Sequence, residues 1–175
     1  MTGKKIIIFG ALISLLSFSF FETAFADNEI NSEKLENIEM DCQSIKQTLK
    51  RIQNIDKNTR ISIGRSYQSI LSDFITPLNI RLVKNNTSNG ELSAIQSRFV
   101  DARETFNRDY IAYSQEFETL LNIDCKNEPE NFYNQLVKTR EKRAEVAASA
   151  KIVRGIITKH YNEVEALKNT FEVKK

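Results

Sequence analysis

The chain has 175 residues and a formal net charge of +2 at pH 7, with 27% charged and 41% hydrophobic residues. This near-neutral balance argues against nucleic acid as the main partner, because nucleic-acid binding usually requires a concentrated basic face. Five glycines, two prolines and no tryptophan are the composition of an all-α protein.

The N-terminal segment, residues 1–26, has the pattern of a secretory signal peptide. A short positive start precedes an uncharged apolar run over residues 6–21, and the sequence Ala-Phe-Ala at 24–26 predicts cleavage before Asp27. The alternative is an uncleaved membrane anchor, but the run is shorter than the roughly 20 residues that span a bilayer. We therefore predict a secreted or extracytoplasmic protein whose residues 27–175 form a single domain.

The first helical pattern contains two apolar seams separated by a polar interruption at residues 56–60. Each seam repeats at spacings of three or four residues, which places its side chains on one face of a helix. Pro77 cannot donate a backbone hydrogen bond to the Asp73 carbonyl, so a kink is expected there. The pattern predicts either one long helix over 33–84, kinked near Pro77, or two helices that meet near residue 57. The seam positions are Leu35, Ile38, Cys42, Ile45, Leu49 and Ile52, then Ile63, Tyr67, Leu71, Phe74, Leu78 and Leu82.

The second helical pattern covers residues 91–122 and carries the clearest seam. Five of its members are aromatic, which would also suit a stacking platform for bases or sugars. Because bundle packing requires the same spacing, we interpret them as core residues. The seam consists of Leu92, Ile95, Phe99, Ala102, Phe106, Tyr110, Tyr113, Phe117 and Leu120.

The third helical pattern predicts one helix over 129–172, with Pro129 in the first turn and Asn127 as a cap. Small residues in its middle, at 144–153, allow a neighbouring helix to approach closely. Arg143 lies on the seam and is expected to extend to solvent or to pair with an acid. The seam consists of Phe132, Leu136, Thr139, Arg143, Val146, Ala150, Val153, Ile157, His160, Val164, Leu167 and Phe171.

Cys42 and Cys125 are the only cysteines, and an exported chain with two cysteines usually forms one disulfide. The two alpha carbons must then lie roughly 5.5–6 Å apart. With one continuous first helix the helical rise leaves a gap of about 5 Å, whereas a turn at residue 57 leaves the sulfurs about 30 Å apart. The disulfide therefore favours an elongated antiparallel three-helix bundle, with the third helix parallel to the first. Free thiols or metal ligands are the alternatives, and the single histidine disfavours a zinc site.

The sequence contains few residues arranged for chemistry. His160, the only histidine, lies on the third seam and is interpreted as a packing residue. There is no nucleophile elbow and no glycine-rich phosphate loop after a strand. Carboxylate pairs such as Glu116 and Glu118 are two residues apart, so they do not face each other on a helix. We therefore predict no catalytic, metal or cofactor-binding residues and no enzymatic activity.

A modest basic bias on the first helix comes from Arg60, Arg65, Arg81 and Lys84. Such a face would suit an anionic envelope polymer or a lipid surface, but we interpret it as a solvated helix surface. Membrane contact is expected only through residues 1–26, if they are not cleaved.

Several segments together resemble small uncharacterised exported proteins of reduced-genome bacteria. They are the signal-peptide pattern, DCQSIKQTLKRIQN at 41–54, ILSDFITPLNIRLVKNN at 70–86 and IDCKNEPENF at 123–132. The resemblance covers most of residues 27–175. It implies a bacterial exported protein and brings no catalytic residues with it.

Long amphipathic helices, an export signal and the lack of site chemistry predict a structural or protein-interaction module of the cell envelope or extracellular space. Its partner would be an unknown protein or a second copy of itself. The alternative is a carrier or chaperone-like protein that holds an apolar ligand or client between its helices. An apolar cavity near residues 147–150, or an exposed aromatic groove, would favour the carrier.

Overall fold

The structure, a computed structural model, describes residues 31–87 and 89–172, without the side chain of Glu172. The predicted signal peptide lies outside the described residues. All regular structure within the described ranges is helical. The elements are α1 (Ser32–Ser69), a π-helical segment (Ile70–Ile75), α2 (Thr76–Lys84), α3 (Gly90–Asn122) and α4 (Pro129–Glu172).

The first helical run is continuous, because α1, the π-helical segment and α2 follow one another without a break. The prediction of one long helix over 33–84 is therefore confirmed, and the alternative of two helices meeting near residue 57 is wrong. The polar residues at 56–60 interrupt the apolar seam without interrupting the backbone. The side chains of Asp56 and Arg60, at the two ends of this stretch, bond to polar groups of other helices.

Asparagine side chains cap the starts of α1 and α3. The Asn31 Oδ1 atom accepts a hydrogen bond from the backbone N–H of Lys34 at 2.9 Å. The Asn89 Oδ1 atom accepts from the N–H groups of Glu91 and Leu92 at 2.9 and 3.2 Å. These bonds satisfy N–H groups that have no partner inside the helix.

The predicted Asn127 cap of α4 is wrong. The Asn127 Nδ2 atom instead donates to the Asp124 Oδ2 atom at 2.6 Å. The first turn of α4 closes with a bond from the Phe132 N–H to the Glu128 carbonyl at 2.9 Å. Asp124 lies close enough in the loop to take the asparagine side chain away from the helix terminus.

The irregularity expected at Pro77 takes the form of the π-helical segment directly before it. Pro77 has no N–H to donate, which removes one bond of the regular α-helical ladder. At this point the Thr76 N–H donates to the Leu71 carbonyl, five residues back, as in a π-helix. The wider turn contains more residues than an α-helical turn, so the helix face that meets the core changes along the sequence.

The change of face corrects the predicted seam. Phe74 was expected in the core, but its side chain is 65% exposed. Ile75 is fully buried in its place, and Asn79 follows it into the interior at 8% exposure. Regular periodicity therefore fails at the π-helical segment, where the buried positions move by one residue.

The three long helical runs pack side by side, and α3 and α4 approach each other most closely. Residue numbers run in opposite directions across the contact of the first run with α3, and in the same direction across its contact with α4. The first and third long helices are therefore parallel, with α3 antiparallel to both. The pairs that show this are Asp56–Tyr113 and Asn79–Gln96, then Asp56–Arg143 and Tyr67–Ala150.

The core consists of three apolar clusters arranged along the bundle. Most of the α3 seam is buried, and its aromatic rings meet edge to face, for example Tyr67 with Phe106 and Tyr113 with Phe117. The interpretation of the aromatics as core residues is confirmed for four of them, whereas Tyr110 is half-buried at the edge of the core. The buried members of α3 are Leu92, Ile95, Phe99, Phe106, Tyr113, Phe117 and Leu120.

The last residues of α4 extend past the start of α3. Lys159 of α4 pairs with Glu91 in the first turn of α3, at 2.6 Å. Phe171 lies twelve residues further on, about 18 Å along the helix. Phe171 is accordingly 47% exposed, which corrects its prediction as a seam residue. We call the end of the bundle where the chain passes from α2 to α3, with its turn at Asn85 and Asn86, the turn end.

Candidate functional site

The two cysteines meet at the end of the bundle opposite the turn end. The Sγ atoms of Cys42 and Cys125 lie 2.00 Å apart, and their alpha carbons 5.5 Å apart. Cys125 is fully buried in a cluster with Leu120 and Phe132. The disulfide links α1 to the loop between α3 and α4, so it ties together the start of the first helix and the segment from which α4 begins.

The loop that carries Cys125 is held by Asp124. Its carboxylate accepts hydrogen bonds from the Lys126 N–H at 3.0 Å and from the Asn127 side chain at 2.6 Å. Its carbonyl accepts from the Glu128 N–H at 2.7 Å. The Asn127 bond, followed by the Lys126 bond, holds the pKa of the Asp124 carboxyl below its usual value. The geometry of the loop next to the disulfide is thus set by one ionised side chain.

A polar junction in the middle of the bundle joins all three long helices through Asp56. The Tyr113 hydroxyl of α3 donates to Asp56 Oδ2 at 2.6 Å. The Arg143 guanidinium of α4 donates to the same carboxylate twice, Nε to Oδ2 at 2.9 Å and Nη2 to Oδ1 at 3.0 Å. Two-point binding of this kind fixes orientation as well as distance. The sequence predicts that Arg143 either extends to solvent or pairs with an acid. The structure shows the second outcome, with Asp56 as the acid.

The Asp56 carboxylate raises the pKa of both of its partners in this junction. Burial, and then the hydrogen bond to Asp56, raise the pKa of Tyr113, so the hydroxyl stays a donor. The same carboxylate raises the pKa of Arg143 through their hydrogen bonds. The Asp56 side chain is 17% exposed and that of Arg143 is 55% exposed. The tyrosine bond is therefore the more buried of the two and the less screened by water.

We expect the substitution Asp56→Ala to destabilise the fold by about 1–3 kcal/mol, because it leaves the Tyr113 hydroxyl in the interior without its acceptor. Arg143→Gln should cost less than about 1 kcal/mol, since the guanidinium is more than half exposed. Urea denaturation of double-mutant cycles measures the two couplings. The coupling of Asp56 to Tyr113, measured with Tyr113→Phe, should exceed its coupling to Arg143. The opposite order would mean that the ion pair and not the tyrosine bond stabilises the junction.

An open groove of about 360 Å³ lies between α1 and α3, next to this junction. Three arginines line it, Arg60 and Arg65 from α1 and Arg103 from α3. Arg60 also lies over the Tyr110 ring, 5.4 Å from its centre. A Cβ atom at Gly64, in the groove wall, would meet no atom within 4 Å. Arg60 and Arg65, which the sequence pattern places on a solvated helix surface, thus line a concave basic surface together with Arg103.

Two further polar groups lie in the interior toward the turn end. Asn79 donates to the Leu92 carbonyl at 3.3 Å and to the Gln96 side chain at 2.6 Å. His160 has its Nε2 atom buried without a hydrogen-bond partner. Burial lowers the pKa of His160, which keeps the ring neutral near pH 7. A neutral, half-buried ring agrees with its interpretation as a packing residue.

The small residues in the middle of α4 pack against the other helices. Val146 and Ala150 contact the buried cluster that contains Phe99, Phe106 and Val153, and Ser149 is 4% exposed. The expected close approach of a neighbouring helix is found here. This part of α4 contributes to the core, and the groove described above lies elsewhere, between α1 and α3.

Reasoning from the sequence missed the junction and the groove as sites. The signal for the junction was present, since an acid interrupts the first seam and Arg143 interrupts the third. Two polar interruptions of facing seams in a bundle are natural partners. The groove had no comparable signal, because Arg103 is remote in sequence from Arg60 and Arg65.

A comparison of the chain with protein-family models, with curated proteins and with solved structures found no match. Over residues 31–87 and 89–172, no three His, Cys, Asp or Glu side chains are grouped so that they would hold a metal ion. In the same part of the chain, no helix combines the length and apolar character needed to cross a membrane.

Proposed function

We propose that the chain is an exported, non-enzymatic helical module of the bacterial cell envelope or extracellular space, which binds a protein partner or a second copy of itself at the turn end. The disulfide supports an oxidising compartment, because such bonds persist mainly in exported proteins. The same bond and the Asp56 junction hold the long helices in one arrangement. A rigid bundle of this kind suits a protein that presents a surface rather than one that encloses a reaction.

The observation that carries the proposal is the concentration of exposed apolar side chains at the turn end. Nine large hydrophobic side chains are exposed among the described residues, and five of them belong to the helical segments that approach the turn end, at 74–83 and 161–171. Phe74 is 65% exposed, Val83 61% and Tyr161 63%. Exposed large apolar groups that share one region of a surface mark interaction sites. The five residues are Phe74, Ile80, Val83, Tyr161 and Phe171.

Site-specific photo-crosslinking in the native envelope tests the proposal. A photoreactive residue in place of Val83 should give one discrete crosslinked species under non-reducing conditions. Its mass identifies either a dimer of the chain or a complex with one partner. Ile111 is the matched control position, because it is an apolar residue on α3 that is 53% exposed and lies away from the turn end.

The proposal requires the crosslink to depend on the turn end. With the photoreactive residue kept at position 83, Phe74→Ser together with Ile80→Ser should remove the crosslinked species. Both side chains are exposed, so the melting temperature should stay within a few degrees of that of the unchanged protein. Equal crosslinking from positions 83 and 111, or a strict monomer with no crosslink from either, would contradict an interaction surface at this end.

A further inference from the structure

Three arginines that form no ion pair with a described residue line the groove between α1 and α3. No carboxylate is among its lining residues. Within the described part of the chain, Arg60, Arg65 and Arg103 form none of the ion pairs. Other basic side chains of the bundle do pair with acids, for example Arg98 with Glu91 at 2.6 Å. The three guanidinium groups are therefore not ion-paired within this part of the chain, and they line one concave surface.

Neutral amides orient two of these arginines. The Arg60 Nη2 atom donates to the Asn107 Oδ1 atom at 3.2 Å, and the Arg103 Nη1 atom donates to the Gln68 Oε1 atom at 2.6 Å. An amide carbonyl positions a guanidinium but leaves its charge intact. Each guanidinium has five N–H donors, so most of the donors remain available, and the Arg60 Nε atom is buried with no partner at all.

The shape of the groove leaves room for a ligand against an apolar wall. Its volume of about 360 Å³ lies in the range of small-molecule sites, roughly 300–1,000 Å³. Ile61, Tyr67 and Phe106 contribute apolar surface beside the arginines. Gly64 supplies no side chain, and a Cβ added there would meet open space. The groove thus combines three arginine side chains, apolar surface and a wall residue that has no side chain.

We propose that this groove binds the phosphate group of a phosphomonoester. Near pH 7 such a group carries a charge of about −1.5 to −2 and three acceptor oxygens, which matches three guanidinium groups better than the single charge of a carboxylate does. Guanidinium groups also bind phosphate through two parallel hydrogen bonds. The proposal is independent of the interaction surface at the turn end.

Titration of the disulfide-bonded protein with phenyl phosphate, followed by NMR, tests the assignment. Saturable shifts are expected at the backbone amide of Gly64 and at the arginine Nε–H groups of the groove. The double substitution Arg65→Gln and Arg103→Gln should weaken binding by roughly tenfold or more. Benzoate should also bind at least roughly tenfold more weakly than phenyl phosphate. Equal binding of benzoate would overturn the assignment of phosphate.

Matched variants separate a site from general attraction to positive charge. Arg51→Gln with Arg140→Gln removes the same charge from two exposed positions outside the groove and should leave binding within about twofold. Gly64→Met keeps all three arginines, extends a long side chain from the groove wall and should abolish binding even if the charge variants unfold. An equal loss in the Arg51 and Arg140 variant, or unchanged binding in Gly64→Met, would overturn the proposal.

A vesicle assay then distinguishes two sources of the phosphate. Co-sedimentation with phosphatidic acid vesicles but not with phosphatidylcholine vesicles, lost in the Arg65→Gln and Arg103→Gln variant, assigns the groove to a lipid headgroup. Binding of phenyl phosphate without vesicle binding assigns it to a soluble phosphate ester. Absence of both would overturn the site.

Discussion

Reduction of the Cys42–Cys125 disulfide is expected to lower the melting temperature of the protein by about 10–20 °C. The bond spans a sequence separation of 83 residues, and closing a loop of that length removes about 4–5 kcal/mol of conformational entropy from the unfolded chain. For a domain of roughly 150 residues, each kcal/mol corresponds to a few degrees. The packing around fully buried Cys125 remains after reduction, so the reduced protein should still fold.

The measurement is a circular dichroism melt with and without reductant, with thiol counting to show that reduction is complete. The variant Cys42→Ser with Cys125→Ala is the control, since it should melt like the reduced protein and should not respond to reductant. Alanine is chosen at position 125 because that side chain is buried and a hydroxyl there would lack a partner. An unchanged melt after complete reduction would contradict a stabilising role for the bond.

The second large effect is expected from neighbouring residues in the π-helical segment. Ile75→Ala should destabilise the protein by about 2–5 kcal/mol, because Ile75 is fully buried and its truncation leaves a cavity. Phe74→Ala should change the free energy of unfolding by less than about 0.5 kcal/mol, because its ring is 65% exposed. The smaller side chain is thus predicted to matter more than the larger one directly before it.

Urea denaturation of both variants measures this contrast, with Phe99→Ala as the reference for a buried ring. Phe99 is fully buried, so its truncation should cost about 3–5 kcal/mol. Equal slopes of the denaturation curves would show that the variants unfold by the same transition. If Phe74→Ala proved costly and Ile75→Ala harmless, the helix would follow the uninterrupted seam of the sequence, and the π-helical segment would be contradicted.

The long helices could be predicted from the sequence because apolar spacing alone determines which face is buried. The seam of α3 is regular from Leu92 to Leu120, and the structure buries most of it. The prediction of one continuous first helix rested on the two cysteines, since the polar break at residues 56–60 also suited a turn. A distance requirement between two remote sulfurs is information that periodicity lacks.

The predictions of buried residues failed in two situations. In one, an irregular turn changed which face of a helix is buried, and in the other, a helix extended beyond the neighbour that would have buried it. The sequence shows that Pro77 lacks the N–H needed for a regular helical hydrogen bond. That missing N–H is compatible with a kink and equally with a π-helical segment. Only the π-helical segment makes Ile75 the buried residue in place of Phe74. Phe171 fits the apolar spacing of α4. Its exposure, however, depends on where the neighbouring helix α3 begins, and the spacing within α4 carries no information about that position.

The sites were harder to predict than the helices because they depend on side chains from different elements. Asp56, Tyr113 and Arg143 come from three helices, and no spacing rule connects them. The arginine-lined groove likewise depends on how α1 lies against α3 beside Gly64, which has no side chain. Composition shows that basic residues are present, but not that three of them meet without an acid.

The position of the disulfide decides which pieces of the protein proteolysis would release. The bond closes a covalent ring from Cys42 to Cys125, and the turn between α2 and α3 lies inside that ring. A nick in the turn would leave α1 and α3 on one molecule, joined through sulfur. A nick just after Cys125, at residues 126–128, would detach α4 from the ring and leave it bound by packing alone. The turn can therefore be cut without loss of the first two long helices, while the short loop after Cys125 is the point at which the bundle can be divided.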